Sequence, residues 1–165
     1  MIYIHLVQQT FLNYWLSIKM KISKKIEPIL SGISAAVVIG VLAFLTLRTS
    51  LGIWLMFSFG ATVFLVFALH NLETAQPKNI FFGHLVSVLV GIIFNETIGF
   101  SFYSLGLAVG LAVALMVYLK VMHPPAASNP LVVLFTDVSF EFILFPVIVG
   151  TIAIIIMSVF INKII

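Results

Sequence analysis

Residues 29–47 read ILSGISAAVVIGVLAFLTL, a stretch without a single charged side chain. About 20 apolar residues in a helix cross the hydrocarbon of a bilayer, so this stretch sets the kind of fold. The chain then repeats the pattern. Leu51–Leu69, Thr97–Leu119 and Phe142–Asn162 are further long uncharged runs, the last interrupted by Pro146. Ile80–Phe94 is a shorter one, closed by Asn95 and Glu96. Of 165 residues, 62% are hydrophobic and 8% are charged, against roughly a quarter charged in an ordinary soluble domain. A soluble globule could not hide so much apolar surface, whereas a lipid bilayer solvates it. A spanning backbone must pair its own polar groups, and no run shows the period-two alternation of a barrel strand. The sequence therefore predicts an all-α fold, a polytopic transmembrane helix bundle with four to five spanning helices.

One segment does not fit that scheme. Residues 123–135 read His-Pro-Pro-Ala-Ala-Ser-Asn-Pro and then Leu131 to Phe135. Each proline lacks a backbone donor and crowds the preceding turn, so no continuous helix runs through them. The apolar part is too short to cross alone. It is expected to be an extended loop followed by a re-entrant or broken half-helix inside the protein, the alternative being a surface loop.

Charge sets the expected orientation. Lys19, Lys21, Lys24 and Lys25 precede the first span, and the positive-inside bias then puts the N-terminus in the cytoplasm. With five crossings, Lys78 and Lys120 are cytoplasmic while Arg48 and Lys163 are external. Residues 1–27 read as a basic N-terminal extension, with Tyr3–Ile18 either an interfacial amphipathic helix or a poorly ordered stretch. Residues 28–165 read as a single membrane domain. The basic residues follow the apolar stretch instead of preceding it, unlike a signal peptide. A chain of this kind without a transit peptide suits a prokaryotic inner membrane. The basic residues cluster at segment ends, which argues against nucleic acid as a partner. The absence of cysteine removes disulfides, thiolate metal sites and cysteine nucleophiles.

Two places concentrate polar side chains. His123 precedes Pro124, which holds it extended and outside the helix before it. An extended histidine beside a half-helix can present its ring and nearby backbone donors to a ligand; the plainer reading is a helix stop with an interfacial histidine. In the third segment Gly83, Ser87, Gly91 and Asn95 recur every fourth residue, a stripe that lets another helix approach closely. His84 lies one position off it, near Ser87. A titratable group inside a span is costly and so marks a functional candidate, although a histidine hydrogen-bonded between helices reads equally well. Gly106, Gly110 and Ala114 form a second small-residue face, expected to pack within the bundle or between protomers. The four histidines lack ligand spacing, so no metal or cofactor is expected. No carboxylate pair or nucleophile–base spacing suggests an enzyme.

A weak internal echo connects these places. Phe59-Gly60-Ala61-Thr62 leads into Val63–Phe67, and Pro125-Ala126-Ala127-Ser128-Asn129-Pro130 leads into Leu131–Phe135: small and polar first, then apolar. Each is followed by a polar connection and a helix containing glycine. Two repeats, each with a breach ahead of a half-helix, is the arrangement transporters aim at a shared site; chance similarity of apolar strings is the competing account. A half-helix N-terminus offers unpaired N–H groups and partial positive charge, which suits a small anion. The candidate substrate-binding residues are Gly60, Thr62, His84, Ser87, His123, Pro124, Pro125, Ser128 and Asn129.

The ordered pieces Phe59-Gly60-Ala61-Thr62, Ala75-Gln76-Pro77-Lys78-Asn79, Gly83-His84-Leu85-Val86-Ser87, His123-Pro124-Pro125-Ala126 and Leu144-Phe145-Pro146-Val147 resemble those of the HPP family of integral membrane proteins, over about residues 28–162. The resemblance implies a compact domain usually described with four spanning helices. Plant chloroplast and cyanobacterial members are associated with nitrite transport, so the resemblance implies a small inorganic anion, nitrite first, as substrate. Family members typically continue the motif with Gly-Ala, where this chain has Ala127-Ser128-Asn129-Pro130, which bears on selectivity. A non-transporting scaffold or assembly protein is the alternative. A homo-oligomer is expected because the chain is small for a transporter.

Overall fold

The structure is a computed structural model that describes residues 2–50 and 53–162, with side chains from Lys25 onward. Among the described residues there are six α-helices and no strand: α1 (Ile2–Arg48), α2 (Phe59–Ala68), α3 (Pro77–Thr97), α4 (Phe102–Tyr118), α5 (Asn129–Thr136) and α6 (Val149–Ile161). Three helical stretches are long and apolar enough to cross a membrane: Lys25–Arg48 of α1, α3, and Ile143–Ile161. The shorter apolar helices α2 and α4 complete the all-α bundle. α1 passes unbroken through residues 27 and 28. The amphipathic character expected of Tyr3–Ile18 lies outside the described side chains.

Local chemistry explains the boundaries. Pro77 sits at the first helical position after an extended Gln76, where its missing N–H costs nothing. α3 therefore starts earlier than the apolar run alone indicates, and it ends only at Thr97. Ser101 and Ser104 cap the start of α4 reciprocally, each hydroxyl accepting the other residue's backbone N–H. α4 ends with Lys120 in the left-handed region (φ 55°). There Lys120 N–H donates to Val117 O and Val121 N–H to Met116 O, the paired bonds of a Schellman motif. A π-helical turn, Ile143–Ile148, precedes α6; Phe145, ahead of Pro146, leaves helical geometry (φ −125°, ψ 122°).

Hydrogen bonds between helix ends give the direction of each pass. Ser31 Oγ donates to Phe67 O, so the end of α2 lies beside the early part of the α1 span. Asn79 Nδ2 donates to Met122 O, setting the start of α3 beside the stretch after α4. Asn95 Nδ2 donates to Asp137 Oδ1, joining the far ends of α3 and α5. Asn162 Nδ2 donates to Val66 O, joining the far ends of α6 and α2. The chain thus makes six passes of alternating direction, two of them broken: residues 53–68, extended and then α2, and residues 121–136, loop and then α5. This is the bundle of four to five spanning helices plus a broken half-helix after the His-Pro-Pro loop that the sequence predicts, with the half-helix counting as a further pass. The proline-rich segment traverses the bundle, so the end of α6 at Asn162 lies at the Lys78 end and not opposite it; Lys163 itself is outside the described residues.

The helices α1–α3 and α4–α6 consequently run in opposite senses, each set a helical pass, a broken pass and a second helical pass. This is inverted-repeat topology, and the packing exchanges between the halves. A Cβ on Gly91 of α3 would lie 2.9 Å from Pro130 Cα at the start of α5. A Cβ on Gly150 of α6 would lie 2.5 Å from the Phe59 ring and 2.8 Å from Trp54 O, at the start of α2. Each half's last helix carries the glycine that admits the other half's half-helix.

The exterior is as apolar as the interior, unlike that of a soluble protein. On α1, Ile29, Ile33, Val37, Phe44 and Leu47 are exposed while Ser31 and Ser34 are buried. Lipid covers such an apolar exterior. Val38, Leu42, Phe59, Val88, Ile92, Val133, Val147 and Ile154 form the main core. The stripe on α3 receives the second broken pass along its whole length: Gly83 meets His123, Ser87 meets Asn129, Gly91 meets Pro130 and Asn95 meets Asp137. The second small-residue face behaves otherwise. α4 buries Ser104, Ala108, Ala112 and Met116, whereas Gly106 and Gly110 are exposed with open space where a Cβ would stand. Of the two expectations for Gly106–Gly110, within the bundle or between protomers, packing within the bundle is not what the structure shows: α4 turns Ser104, Ala108 and Ala112 inward instead.

Candidate functional site

The starts of both half-helices converge on one imidazole. Thr62, in the first turn of α2, places Oγ1 2.9 Å from His84 Nε2. Asn129, the first residue of α5, places Nδ2 2.9 Å from His84 Nδ1. The ring of His84, carried by α3, therefore bridges the two breaches. Phe59 packs edge-to-face against it, with ring centroids 5.2 Å apart.

A second imidazole extends the chain of bonds. His123 Nε2 lies 3.0 Å from the same Thr62 Oγ1, and His123 Nδ1 lies 2.7 Å from Thr74 O. Asn129 Nδ2 also donates to Ser87 Oγ at 2.7 Å, and Ser87 Oγ donates to His84 O at 3.0 Å. Thr62, His84, Ser87, His123 and Asn129 are each 0% exposed, which makes this a closed polar seam inside an apolar bundle. Polar groups so buried are stabilising only when bonded. Two here have no partner among the described residues, Asn129 Oδ1 and Ser58 Oγ.

The predicted residues divide accordingly. Thr62, His84, Ser87, His123 and Asn129 meet in the seam. Pro125 is buried beside it, and Pro124 is exposed. The Ser128 hydroxyl donates to Pro125 O, closing the 3-10 turn Pro124–Ser128 and leaving the seam to Asn129. Gly60 is exposed and lines a groove of about 480 Å³ between α1 and α2, with Ser31, Gly32 and Ala35. Sequence reading missed four contributors. The Thr74 carbonyl and the Asn79 amide anchor the His123 loop from either side. Phe59 seats the His84 ring. Thr46 Oγ1 accepts from the Trp54 and Leu55 N–H groups, holding the extended lead-in to α2. Only Asn79 and Phe59 had a signal, in the ordered motif pieces that contain them.

The seam holds two histidines, two hydroxyls and an amide, without carboxylate or thiol. Among the described residues no group of three or more His, Cys, Asp or Glu side chains forms. This chemistry suits reversible hydrogen bonding and proton transfer to a small polar solute.

Fold and site together define a polytopic α-helical membrane protein built on an inverted pair of broken passes. Residues 20–165 match the model of the HPP transmembrane region, and the chain belongs to that family. One transmembrane protein of Dictyostelium discoideum is 30% identical over 144 residues, 81% of this chain. A second from the same organism is 26% identical over 114 residues, 64% of this chain. The chain spans 46% and 40% of those relatives' lengths, less than half of each. No solved structure matches the chain.

Proposed function

We propose that this protein carries a small inorganic anion across a membrane, nitrite being the first candidate. One observation carries the reading: two half-helix starts of opposite direction meet on the His84 ring. Each half-helix start brings the positive end of its helix dipole to the seam, with the Thr62 hydroxyl and the Asn129 amide as the side-chain groups there, and inverted repeats place substrate where such broken helices meet. Thr62, His84, Ser87, His123 and Asn129 form the proposed seat, and the two histidines supply proton coupling. Nitrite is singled out by the association of plant and cyanobacterial family members with its transport. In the proposed orientation the Lys25 end faces the cytoplasm.

The test is nitrite uptake into proteoliposomes, measured beside chloride, nitrate and formate. Uptake above that of empty vesicles, lost in H84L and N129L, supports the reading. No flux of any of the four anions would sink it. A scaffold or homo-oligomer role is favoured by one separate observation, the open Gly106–Gly110 face of α4. Chemical cross-linking in membranes that yields only monomer would count against that role.

A further inference from the structure

The hydrogen bonds of the seam have a direction, and a single carbonyl sets it. Thr74 O can only accept, so His123 Nδ1 carries a proton and donates to it. In neutral His123, Nε2 is then an acceptor, and the neighbour at 3.0 Å is Thr62 Oγ1. Thr62 has one hydroxyl proton. The imidazole nitrogen is closer than the alternative acceptor, Ser58 O at 3.2 Å, so the proton goes to His123. Thr62 Oγ1 must then accept from His84 Nε2–H. Neutral His84 is left with a bare Nδ1, which receives Asn129 Nδ2–H. The orientation of the Asn129 amide agrees with this polarity, and its Oδ1 is turned to a side where it finds no partner. An orphan acceptor repels an anion, so the seam in this state is shut to the proposed substrate.

We infer that one added proton reverses this chain and turns the Asn129 amide, converting the anion-repelling side of the seam into a pair of N–H donors. The atoms balance as follows. The Asn129 amide turns, and a proton from hydronium bonds to His84 Nδ1, leaving neutral water. The His84 Nε2–H bond breaks as its proton passes to Thr62 Oγ1. The Thr62 O–H bond breaks as its proton passes to His123 Nε2. The seam now holds one proton more, with the positive charge on the His123 imidazolium. The links along the rings are still made: His123 donates to Thr74 O and to Thr62, Thr62 donates to His84 Nε2, and His84 Nδ1 donates to Asn129 Oδ1, while the Ser87 hydroxyl, which has lost the Asn129 N–H, turns from His84 O to donate to Asn129 Oδ1. Asn129 Nδ2 then points where Oδ1 stood. One proton entering creates one seat for one monovalent anion, and the pair is neutral. Thr62 is the relay hydroxyl and Asn129 the element that reads the proton.

Few other charges bear on the chain. α2 and α5 carry no ionisable residue. Glu73 beside Thr74, Lys78 and Glu96 at the ends of α3, and Lys120 before the His123 loop are all exposed, and none bonds to the seam. The inference deepens the anion-transport reading and rests on it for its purpose, although the bond polarity stands without it.

The test is ¹⁵N solid-state NMR of histidine-labelled protein in lipid vesicles, with H5Q and H70Q removing the other two histidines. At neutral pH His84 is expected as the Nε2–H tautomer and His123 as the Nδ1–H tautomer. On acidification His84 switches to Nδ1–H as His123 gains its second N–H. In T62V the switch of His84 is lost, while T62S retains it. Both histidines in the same tautomer, or His84 gaining the second proton itself, would overturn the inference; the unsubstituted seam decides this even where T62V does not fold. Nitrite flux with and without a proton gradient separates the two ideas. Correct tautomers without flux of any anion remove the transport reading and leave the chain standing. Flux without a tautomer switch removes the chain and leaves the reading standing.

Discussion

Gly150→Ala tests the exchanged packing that brings the two half-helices together. The new Cβ would stand 2.5 Å from Phe59 Cε2 and 2.8 Å from Trp54 O. Ordinary carbon contacts lie at about 3.5–4.0 Å, so the ring must retreat by about 1 Å. Phe59 is 0% exposed and packed edge-on against His84, which leaves it little room. The carbonyl belongs to the backbone that Thr46 pins through the next N–H groups. Overpacking of this sort costs about 1–3 kcal/mol. Alanine returns up to about 1 kcal/mol through its better helix propensity, for a net loss of about 1–2 kcal/mol. For a chain of this size each kcal/mol moves Tm by roughly 2–4 °C, so a fall of roughly 2–8 °C is expected. Gly106→Ala and Gly110→Ala, where nothing lies within 4 Å, are the matched controls and should not lower Tm. Thermal unfolding in detergent, followed by tryptophan fluorescence, reads all three. If G150A melts with or above the two controls, α6 does not cradle the start of α2 and the exchange argument fails.

Three further predictions rest on single contacts. Asn79→Leu deprives Met122 O of its donor on a 3% exposed residue and should cost about 1–3 kcal/mol, read as a lower Tm. Thr46→Val leaves the Trp54 and Leu55 N–H groups without their acceptor, a loss of about 1–3 kcal/mol that Thr46→Ser should largely avoid; equal Tm for the two variants would refute it. Lys120→Gly should raise stability by about 0.5–1 kcal/mol, because the left-handed φ of 55° strains a residue with a Cβ and suits glycine. A lower Tm for K120G would show that the lysine side chain holds the α4 terminus by contacts outweighing that strain.

Much of this architecture was legible because lipid simplifies the code. Uncharged runs of spanning length located α1, α4 and the α6 pass, a shorter run located α3, and prolines located the second broken pass. The four-residue stripe on α3 was readable because small side chains at helical spacing have few uses other than close approach. The direction of the second broken pass was not readable: whether Asn129–Thr136 turns back or passes through depends on Asn95 reaching Asp137, a contact of 42 residues' separation with no local signature. The seam was half legible. His84, Ser87, His123, Asn129 and Thr62 stand out as polar groups in apolar surroundings, yet nothing local shows that Thr62 serves both rings. The Thr74 carbonyl that sets the polarity is backbone, and every residue has one.

The packing is two-fold while the chemistry is one-fold, and that difference bears on function. Gly91 and Gly150 play equivalent parts, each admitting the other half's broken pass. Beside Gly91, α3 presents His84 and Ser87 to the seam. Beside Gly150, α6 offers Thr151, which is buried but donates to the carbonyls of its own helix at Val147 and Ile148. Its hydroxyl is consumed locally and presents no donor to the start of α2. A symmetric frame lets one half rock against the other with similar packing on either side. Under the proposed transport, a single polar seat within it would give each chain one place for a solute, reached alternately from either side. Had α6 carried a second histidine toward α2, two seats would face two half-helices and the frame would read as a paired structural lock. The asymmetry is what the proposed carriage of one small solute at a time would require.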